Sequence, residues 1–315
     1  MRYWAIDAGG SGTTALLDDG TRWRRNSVNP ASVGAEAAET ELAGLFHAIA
    51  DATNGHQTRG WLATATVDSG APAAEVGRLA RLAEKSGLTG SVVVSRDILP
   101  LLAAPPLRGR GVAVICGTGS GFLAGDGMTA PLSIGGCEYL GSDEGSAFAI
   151  GLDGLRAAVR GVDGRGPATS LRTALCTGHD TVQELARRLA TAPFPKAPVA
   201  ALAPLITRCW LDGDPVAGAV LRTALDELLA GVRAARDRAG LTGDWSATLA
   251  GGVIRGCPEF AEALRARITD ELGAGPPTVI HDPVGNVLAA LRAHEELPRE
   301  LAGVWAWTRT LGEDR

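Results

Sequence analysis

One arrangement occurs twice in this chain, and it restricts the fold more than any other feature. Residues 3–7 read as a strand that runs into Asp7-Ala8-Gly9-Gly10-Ser11-Gly12-Thr13-Thr14. A strand over 14–17 follows, then the turn Asp19-Gly20 and a third strand over 21–26. Further along, the apolar run 112–116 enters Gly117-Thr118-Gly119-Ser120-Gly121, a strand extends to residue 125, and Asp126-Gly127 turns the chain again. Short apolar runs bounded by Gly and Asp favour strands. Two copies of strand, hydroxyl-and-glycine turn, strand and Asp-Gly turn imply an internal duplication. Each turn suits a phosphate, because glycine lets backbone N–H groups approach an anion closely and Ser/Thr hydroxyls add donors. Either turn alone would also serve as an ordinary strand connection. The first is not a Walker loop, since no Gly-Lys-Ser/Thr follows. Nor is it a dinucleotide fingerprint, since a strand rather than a helix comes next.

The chain has 315 residues, enough for two cores, with 45% hydrophobic and 21% charged residues. A net charge of -5 without a Lys/Arg stripe argues against a nucleic-acid partner. Met1-Arg2-Tyr3-Trp4 has no apolar signal region, and no apolar run has the length of a membrane span. A cytoplasmic protein with no membrane partner is expected. Cys116, Cys137, Cys176, Cys209 and Cys257 are scattered without CxxC or Cys/His metal spacing, and read as small buried residues.

Between the two copies, residues 35–52 place Leu42, Leu45, Phe46 and Ile49 at helical spacing, and 61–67 read as a strand. Residues 73–86 form a helical pattern with Val76, Leu79, Leu82 and Ala83 on one face, and 91–95 a further strand. Helices and strands therefore alternate in an α/β layer. Asp97 lies just past that last strand, the end where ligands bind in open α/β sheets. It could equally cap a helix over 98–103. A helix over 142–159 would begin with acids that suit its dipole. Helical segments cover 168–192 and 199–239, broken near Gly178 and at Gly213-Asp214-Pro215. A strand over 247–249 ends in Gly251-Gly252. A helix over 259–272, a strand over 278–280 and a helix from Asp282-Pro283 to about His294 follow. The tail with Trp305 and Trp307 shows no assignable pattern.

Taken together these motifs resemble the N-acetylglucosamine kinase and BadF-BadG-BcrA-BcrD ATPase family, within the sugar-kinase, actin and heat-shock chaperone superfamily. Residues 7–13 resemble its first phosphate loop, and Cys116-Gly117-Thr118-Gly119-Ser120 its second. Gly135-Gly136 before Asp143-Glu144-Gly145-Ser146-Ala147-Phe148 resembles its glycine-pair and acid signature. Leu249-Ala250-Gly251-Gly252-Val253 resembles its adenosine motif, and Asp282-Pro283-Val284-Gly285 before Leu288-Ala289-Ala290 its closing helix. The resemblance implies an α/β protein of two actin-like (ribonuclease H-like) domains with a nucleotide cleft between them. The first would span 1–110 plus the helix about 283–296, the second 111–282 with a helical insertion, each around a five-stranded mixed sheet.

The same resemblance implies ATP and Mg²⁺. Gly9, Gly10, Ser11, Gly12 and Thr13 would meet phosphates, as would Gly117, Thr118, Gly119 and Ser120. Gly251 and Gly252 would border the adenosine, and Asp7 would sit near Mg²⁺ through water. Phosphoryl transfer depends mostly on positioning and charge neutralisation, and magnesium favours carboxylate, phosphate and water oxygens. Asp97 becomes the general base for the acceptor hydroxyl, and Asn29, Thr118 and Asp143 become sugar contacts. As residues alone, Asp7 and Asn29 also read as turn residues, and Asp143 and Glu144 as helix-end acids.

Two stretches depart from the family pattern, both on its sugar side. Cys137-Glu138-Tyr139-Leu140-Gly141-Ser142 replaces a Trp-Gly pair and a Leu-Gly-Asp-Glu-Gly run, and Thr64-Ala65-Thr66-Val67-Asp68 lacks a Ser-Gly-Gly-like loop. Glu138 reads either as a solvated loop acid or as a second carboxylate beside Asp143. In the latter case an ammonium on the substrate would offset the cost of unpaired charge. The expected activity is ATP-dependent phosphorylation of a hydroxyl on an amino sugar of glucosamine or N-acetylglucosamine type, the pairing of Glu138 with Asp143 pointing to the free amine. The resemblance leaves room for a homodimer. Two alternatives share the ATP fold. One is the activator ATPase of 2-hydroxyacyl-CoA dehydratases, whose iron–sulfur cysteines have no matching pattern here. The other is an ATP-binding regulator, which would have no use for a base at Asp97.

Overall fold

The computed structural model describes residues 1–9, 12–67, 72–176, 181–294 and 306–311. The chain opens with β1 (Arg2–Ala8), β2 (Thr13–Leu17) and β3 (Arg22–Arg25). It continues through α1 (Pro30–Val33), α2 (Ala35–Thr53), β4 (Thr58–Thr64), α3 (Pro72–Lys85), β5 (Gly90–Ser95) and α4 (Leu99–Ala103). The second round begins with β6 (Arg110–Cys116), β7 (Ser120–Asp126), β8 (Leu132–Gly135), α5 (Glu138–Gly141) and α6 (Ala147–Val162). The helices α7 (Leu171–Leu175), α8 (Val182–Ala190), α9 (Lys196–Ala200), α10 (Ala203–Leu211) and α11 (Pro215–Arg238) follow. The chain then forms β9 (Ala247–Ala250), α12 (Gly252–Gly256), α13 (Pro258–Leu272), β10 (Thr278–Val279), α14 (Pro283–Ala293) and β11 (Ala306–Leu311).

Two compact units result. One comprises Met1–Ala113, Leu123–Leu132 and Ile280–Arg315, the other Val114–Phe122 and Ser133–Val279, so the division crosses β6, β7 and the first residue of β8. The first sheet has the order β11-β5-β4-β1-β2-β3. Strands β1, β4 and β5 are parallel, while β2, β3 and β11 pair antiparallel with their neighbours. Trp4, Ala5 and Ile6 on β1 and Trp61, Leu62 and Ala63 on β4 are fully buried, as central strands covered on both faces must be. The two indoles keep polar partners: Trp4 Nε1 donates to Thr58 Oγ1 at 3.2 Å and Trp61 Nε1 to Ser95 Oγ at 2.8 Å. Those bonds remove the penalty of burying an unpaired N–H. Leu42, Leu45, Phe46 and Ile49 of α2 join the same core at the spacing the sequence showed. Helix α14 packs on β1, β2, β4 and α4. It is tied down by Asn286 Nδ2 donating to the Pro100 carbonyl at 3.0 Å, and its preceding Asp282 pairs bidentately with Arg22.

The second sheet has the order β10-β9-β6-β7-β8. In this unit α11 and α13 bury Leu221, Leu228 and Val232, and Phe260, Leu264 and Ile268. The break at Gly213-Asp214-Pro215 is real, because Asp214 caps α11 by accepting from the N–H groups of Val216 and Ala217. Three features differ from the sequence reading. The first sheet has six strands, β11 supplying the extra edge, and β8 is a further strand. Helix α6 begins at Ala147 rather than 142. Ser146 is its cap, and Asp143 and Gly145 before it hold φ values of 72° and 73°, which no helix accommodates. The break near Gly178 falls outside the described residues. Among the described residues no helix is long and apolar enough to cross a membrane.

Candidate active site

In the first unit, strand directions bring the candidate residues to one sheet edge. β3 runs parallel to β1, because each is antiparallel to β2, so the C-terminal ends of β1, β3, β4 and β5 lie together. In register, Asp7 faces Ala63, which faces Ser95, while Ala8 faces Thr13, which faces Arg25. The loops leaving this edge carry Gly9, Gly12, Asn29, Thr64–Thr66 and Asp97. With neighbouring strands roughly 4.8 Å apart, two strand spacings separate Asp7 from the end of β5. Gly10, Ser11 and Asp68 lie outside the described residues.

The half-buried Asp7 sits on β1 opposite Thr14. Thr13 is 2% exposed, and its Oγ1 has no hydrogen-bond partner among the described residues. Such a hydroxyl is costly unless a ligand oxygen receives it. Asn29 is set by its backbone, its N–H donating to Ser27 Oγ at 3.1 Å and its carbonyl accepting from Val33 N–H at 3.2 Å. The Asp97 side chain is half-buried. Desolvation holds its carboxyl above the ordinary aspartate range, while the Arg96 charge and the backbone N–H groups of Ile98 and Asp97 pull the other way. It does not cap a helix: Ile98 precedes α4.

In the second unit the glycine turn is closed by the protein itself. Gly117 N–H donates to the Gly119 carbonyl at 2.9 Å. Ala147 and Phe148 N–H groups donate to the Gly117 and Thr118 carbonyls at 2.9 and 3.2 Å. Ser120 Oγ donates to the Glu144 carbonyl at 2.8 Å, and Ser120 N–H donates to Asp143 Oδ1 at 2.9 Å. A Cβ at Gly119 would lie 2.5 Å from Asp143 Oδ1, so this carboxylate requires glycine there. Gly251, at φ 117°, packs its backbone on the turn: a Cβ would stand 2.1 Å from the Cys116 carbonyl oxygen. Gly252 N lies close to Gly117 as well. The second loop and the Gly251-Gly252 pair are therefore one structure. The buried Cys116 thiol donates to the Gly145 carbonyl and is pushed up by burial, which makes it a poor cluster ligand.

One functional candidate escaped the sequence reading. Lys196 Nζ lies 2.8 Å from Glu138 Oε2 and 2.8 Å from Asp143 Oδ2. Burial works against its charge, but the hydrogen bonds and charges of Asp143 and Glu138 outweigh this and raise its pKa. Glu138 is thus not an open carboxylate awaiting a substrate ammonium. One ammonium meets both carboxylates, and the trio keeps one net negative charge. The one signal in the sequence was scarcity, since Lys85 and Lys196 are the two lysines among 30 basic residues.

A model of the BadF/BadG/BcrA/BcrD ATPase family matches residues 6–290. The chain is 29% identical over 154 residues to the N-acetylmuramic acid/N-acetylglucosamine kinase of Clostridium acetobutylicum. That match covers 47% of this chain and 49% of the relative, so it spans about half the length of the curated protein. By fold the chain is similar to a proposed N-acetylglucosamine kinase from Porphyromonas gingivalis, with TM-score 0.73 and 19% identity over 93% of this chain and 99% of that one. A second proposed N-acetylglucosamine kinase, from Chromobacterium violaceum, gives 0.67 and 21% over 92% and 98%. The ROK hexokinase from Thermus thermophilus gives 0.55 and 17% over 95% and 100%. These likenesses show a shared fold of two actin-like α/β units. With the family match running from β1 into α14, the chain belongs to the BadF/BadG/BcrA/BcrD ATPase family.

Proposed function

We propose that this protein is an ATP-dependent kinase that phosphorylates a hydroxyl of an N-acetylated hexosamine, with Asp97 as general base. The observation that carries the reading is the place of Asp97, just past β5 on the sheet edge that also holds Asp7 and the Thr13 hydroxyl, which has no partner among the described residues. A carboxylate made more basic by burial is better matched to taking a hydroxyl proton near neutral pH. Thr13 and the backbone of Gly9 and Gly12 would donate to, or make room for, phosphate oxygens. Gly117–Ser120 would do the same, with Gly251 and Gly252 beside the adenosine. Among the described residues no three His, Cys, Asp or Glu side chains converge on a metal. Asp7 fits Mg²⁺ only as one outer ligand among water and phosphate oxygens. Mg-ATP, when bound, supplies the transferable phosphoryl group and the ion that neutralises its charge.

The acetamide replaces the free amine in this reading because Lys196 already pairs with the buried Asp143, and the carboxylate left over, Glu138, is exposed to solvent. The name of the Clostridium acetobutylicum relative agrees with an N-acetylated acceptor. Asn29 and Asp143 would bind the other sugar hydroxyls, since donors and acceptors together fix vicinal hydroxyls. The test is ATP consumption with Mg²⁺ over N-acetylglucosamine, N-acetylmuramic acid, glucosamine and glucose. An N-acetylated sugar should give the highest kcat/KM. Equal or better efficiency with glucosamine would overturn the acetamide, and no turnover with any sugar would overturn the kinase reading.

A further inference from the structure

The turn 117–120 keeps its acceptors and its donors apart. The carbonyls of Gly117, Thr118 and Gly119 accept from the N–H groups of Ala147, Phe148 and Gly117, all within the second unit. The N–H groups of Thr118 and Gly119 have no partner among the described residues, and both residues are only half-buried. Successive backbone N–H groups left open in this way suit an anion. A carboxylate borders them. Asp143 Oδ1 accepts from Ser120 N–H at 2.9 Å and lies 2.5 Å from the position of a Cβ on Gly119. The Asp143 side chain is 4% exposed, so solvent screens its charge little. A bare carboxylate there would repel any phosphate that the two N–H groups receive. Its other oxygen, Oδ2, meets the Lys196 ammonium at 2.8 Å. Lys196 also meets Glu138, but that side chain is 71% exposed and its charge is left to solvent. The lysine therefore offsets a charge beside the turn that water does not.

Resting on the reading of 117–120 as an ATP phosphate turn, we infer that Lys196 is a positioning residue for the nucleotide phosphates. It offsets the Asp143 carboxylate, which can then hold Ser120 N–H without repelling the phosphates that meet Thr118 and Gly119. Lys196 acts through Asp143, from the oxygen that the turn does not use.

The experiment is equilibrium binding of Mg-ATP and of adenosine, by calorimetry and without sugar. The proteins are the wild type, Lys196→Met, Lys196→Arg, and Lys196→Met combined with Asp143→Asn. Lys196→Met should raise Kd for Mg-ATP at least about tenfold, and Kd for adenosine, which carries no phosphate, by less than about twofold. Lys196→Arg, which keeps the charge, should recover most of that loss. The double variant should return to within about threefold of wild type, because the asparagine oxygen can still accept from Ser120 N–H and no charge is left to offset. Should Lys196→Met not fold, Lys196→Gln is measured by the same criteria. Equal weakening of both ligands means that the lysine only holds the unit together, and overturns the inference. A double variant as weak as Lys196→Met means that the lysine attracts phosphate directly, and also overturns it, as does a Kd for Mg-ATP within about twofold of wild type. Absence of Mg-ATP binding by the wild type overturns the ATP reading and the inference with it.

Discussion

The two glycine-rich turns share one sequence pattern but differ in what the protein does with their polar groups. In the turn 117–120 the carbonyls of Gly117 and Thr118, the Ser120 hydroxyl and the Ser120 N–H all have partners within the unit. At the edge of the first sheet, Thr13 Oγ1 has no partner among the described residues and the Asp97 carboxyl is desolvated. Internal bonds fix the shape of a site, whereas groups left costly are where a ligand gains most. The first edge therefore carries side-chain groups that need a ligand, and the second carries a turn whose shape is held by bonds within its own unit.

The largest expected effect lies at the costly edge. Asp97→Asn should lower kcat by about 10²–10⁴-fold, because the amide keeps the shape but cannot take the proton. The same change should raise thermal stability near neutral pH. The folded-state pKa of Asp97 is raised, so the ionised group opposes folding above that pKa. The penalty is relieved as pH falls through the folded pKa, and asparagine carries none. The gain in melting temperature should thus shrink on acidification. Undiminished turnover excludes Asp97 as the base, and a stability gain independent of pH removes desolvation as the cause.

The framework edge should fail through stability instead. Gly251→Ala would place a Cβ 2.1 Å from the Cys116 carbonyl oxygen at a φ of 117°. The strain and the clash should together cost at least about 2 kcal/mol in denaturant unfolding. Gly252→Ala is the contrast, since a Cβ there meets nothing within 4 Å and begins α12. It should fall within about 0.5 kcal/mol of wild type. Similar costs at both positions would mean that the backbone contact with Cys116 does not fix the turn.

What the sequence made legible follows from locality. The strand-turn-strand openings, the apolar spacing of α2 and the break before Pro215 are all written within a few residues of one another. β11 was invisible because its partner β5 lies far off in the N-terminal half, and its described alternation ends in Arg309 and Leu311 without a uniform apolar face. The start of α6 was misplaced because Asp143-Glu144 resembles an acidic first turn, while the left-handed backbone that excludes it is set by the contact of Asp143 with Ser120. Lys196 meets Glu138 and Asp143 only through tertiary packing, so spacing gave no hint of it.

The smallest effects give the sharpest test of the two edges, because the same chemical group is removed from each. Ser120→Ala deletes a hydroxyl that donates to the Glu144 carbonyl at 2.8 Å. Losing a satisfied bond and leaving its acceptor unpaired should cost about 1 kcal/mol. Thr13→Val deletes a buried hydroxyl that has no partner among the described residues. Without nucleotide it should be neutral or stabilising by up to about 1 kcal/mol, since nothing is left unpaired. Addition of Mg-ATP should reverse the ranking at Thr13. The wild type gains stability by binding only the folded state, and the valine variant should gain less because it has lost a phosphate donor. Denaturant unfolding of both variants, with and without Mg-ATP, reads all of these outcomes. A clear loss of stability in Thr13→Val without nucleotide would show that this hydroxyl is satisfied within the protein, and the contrast between the edges would then fail at its starting point.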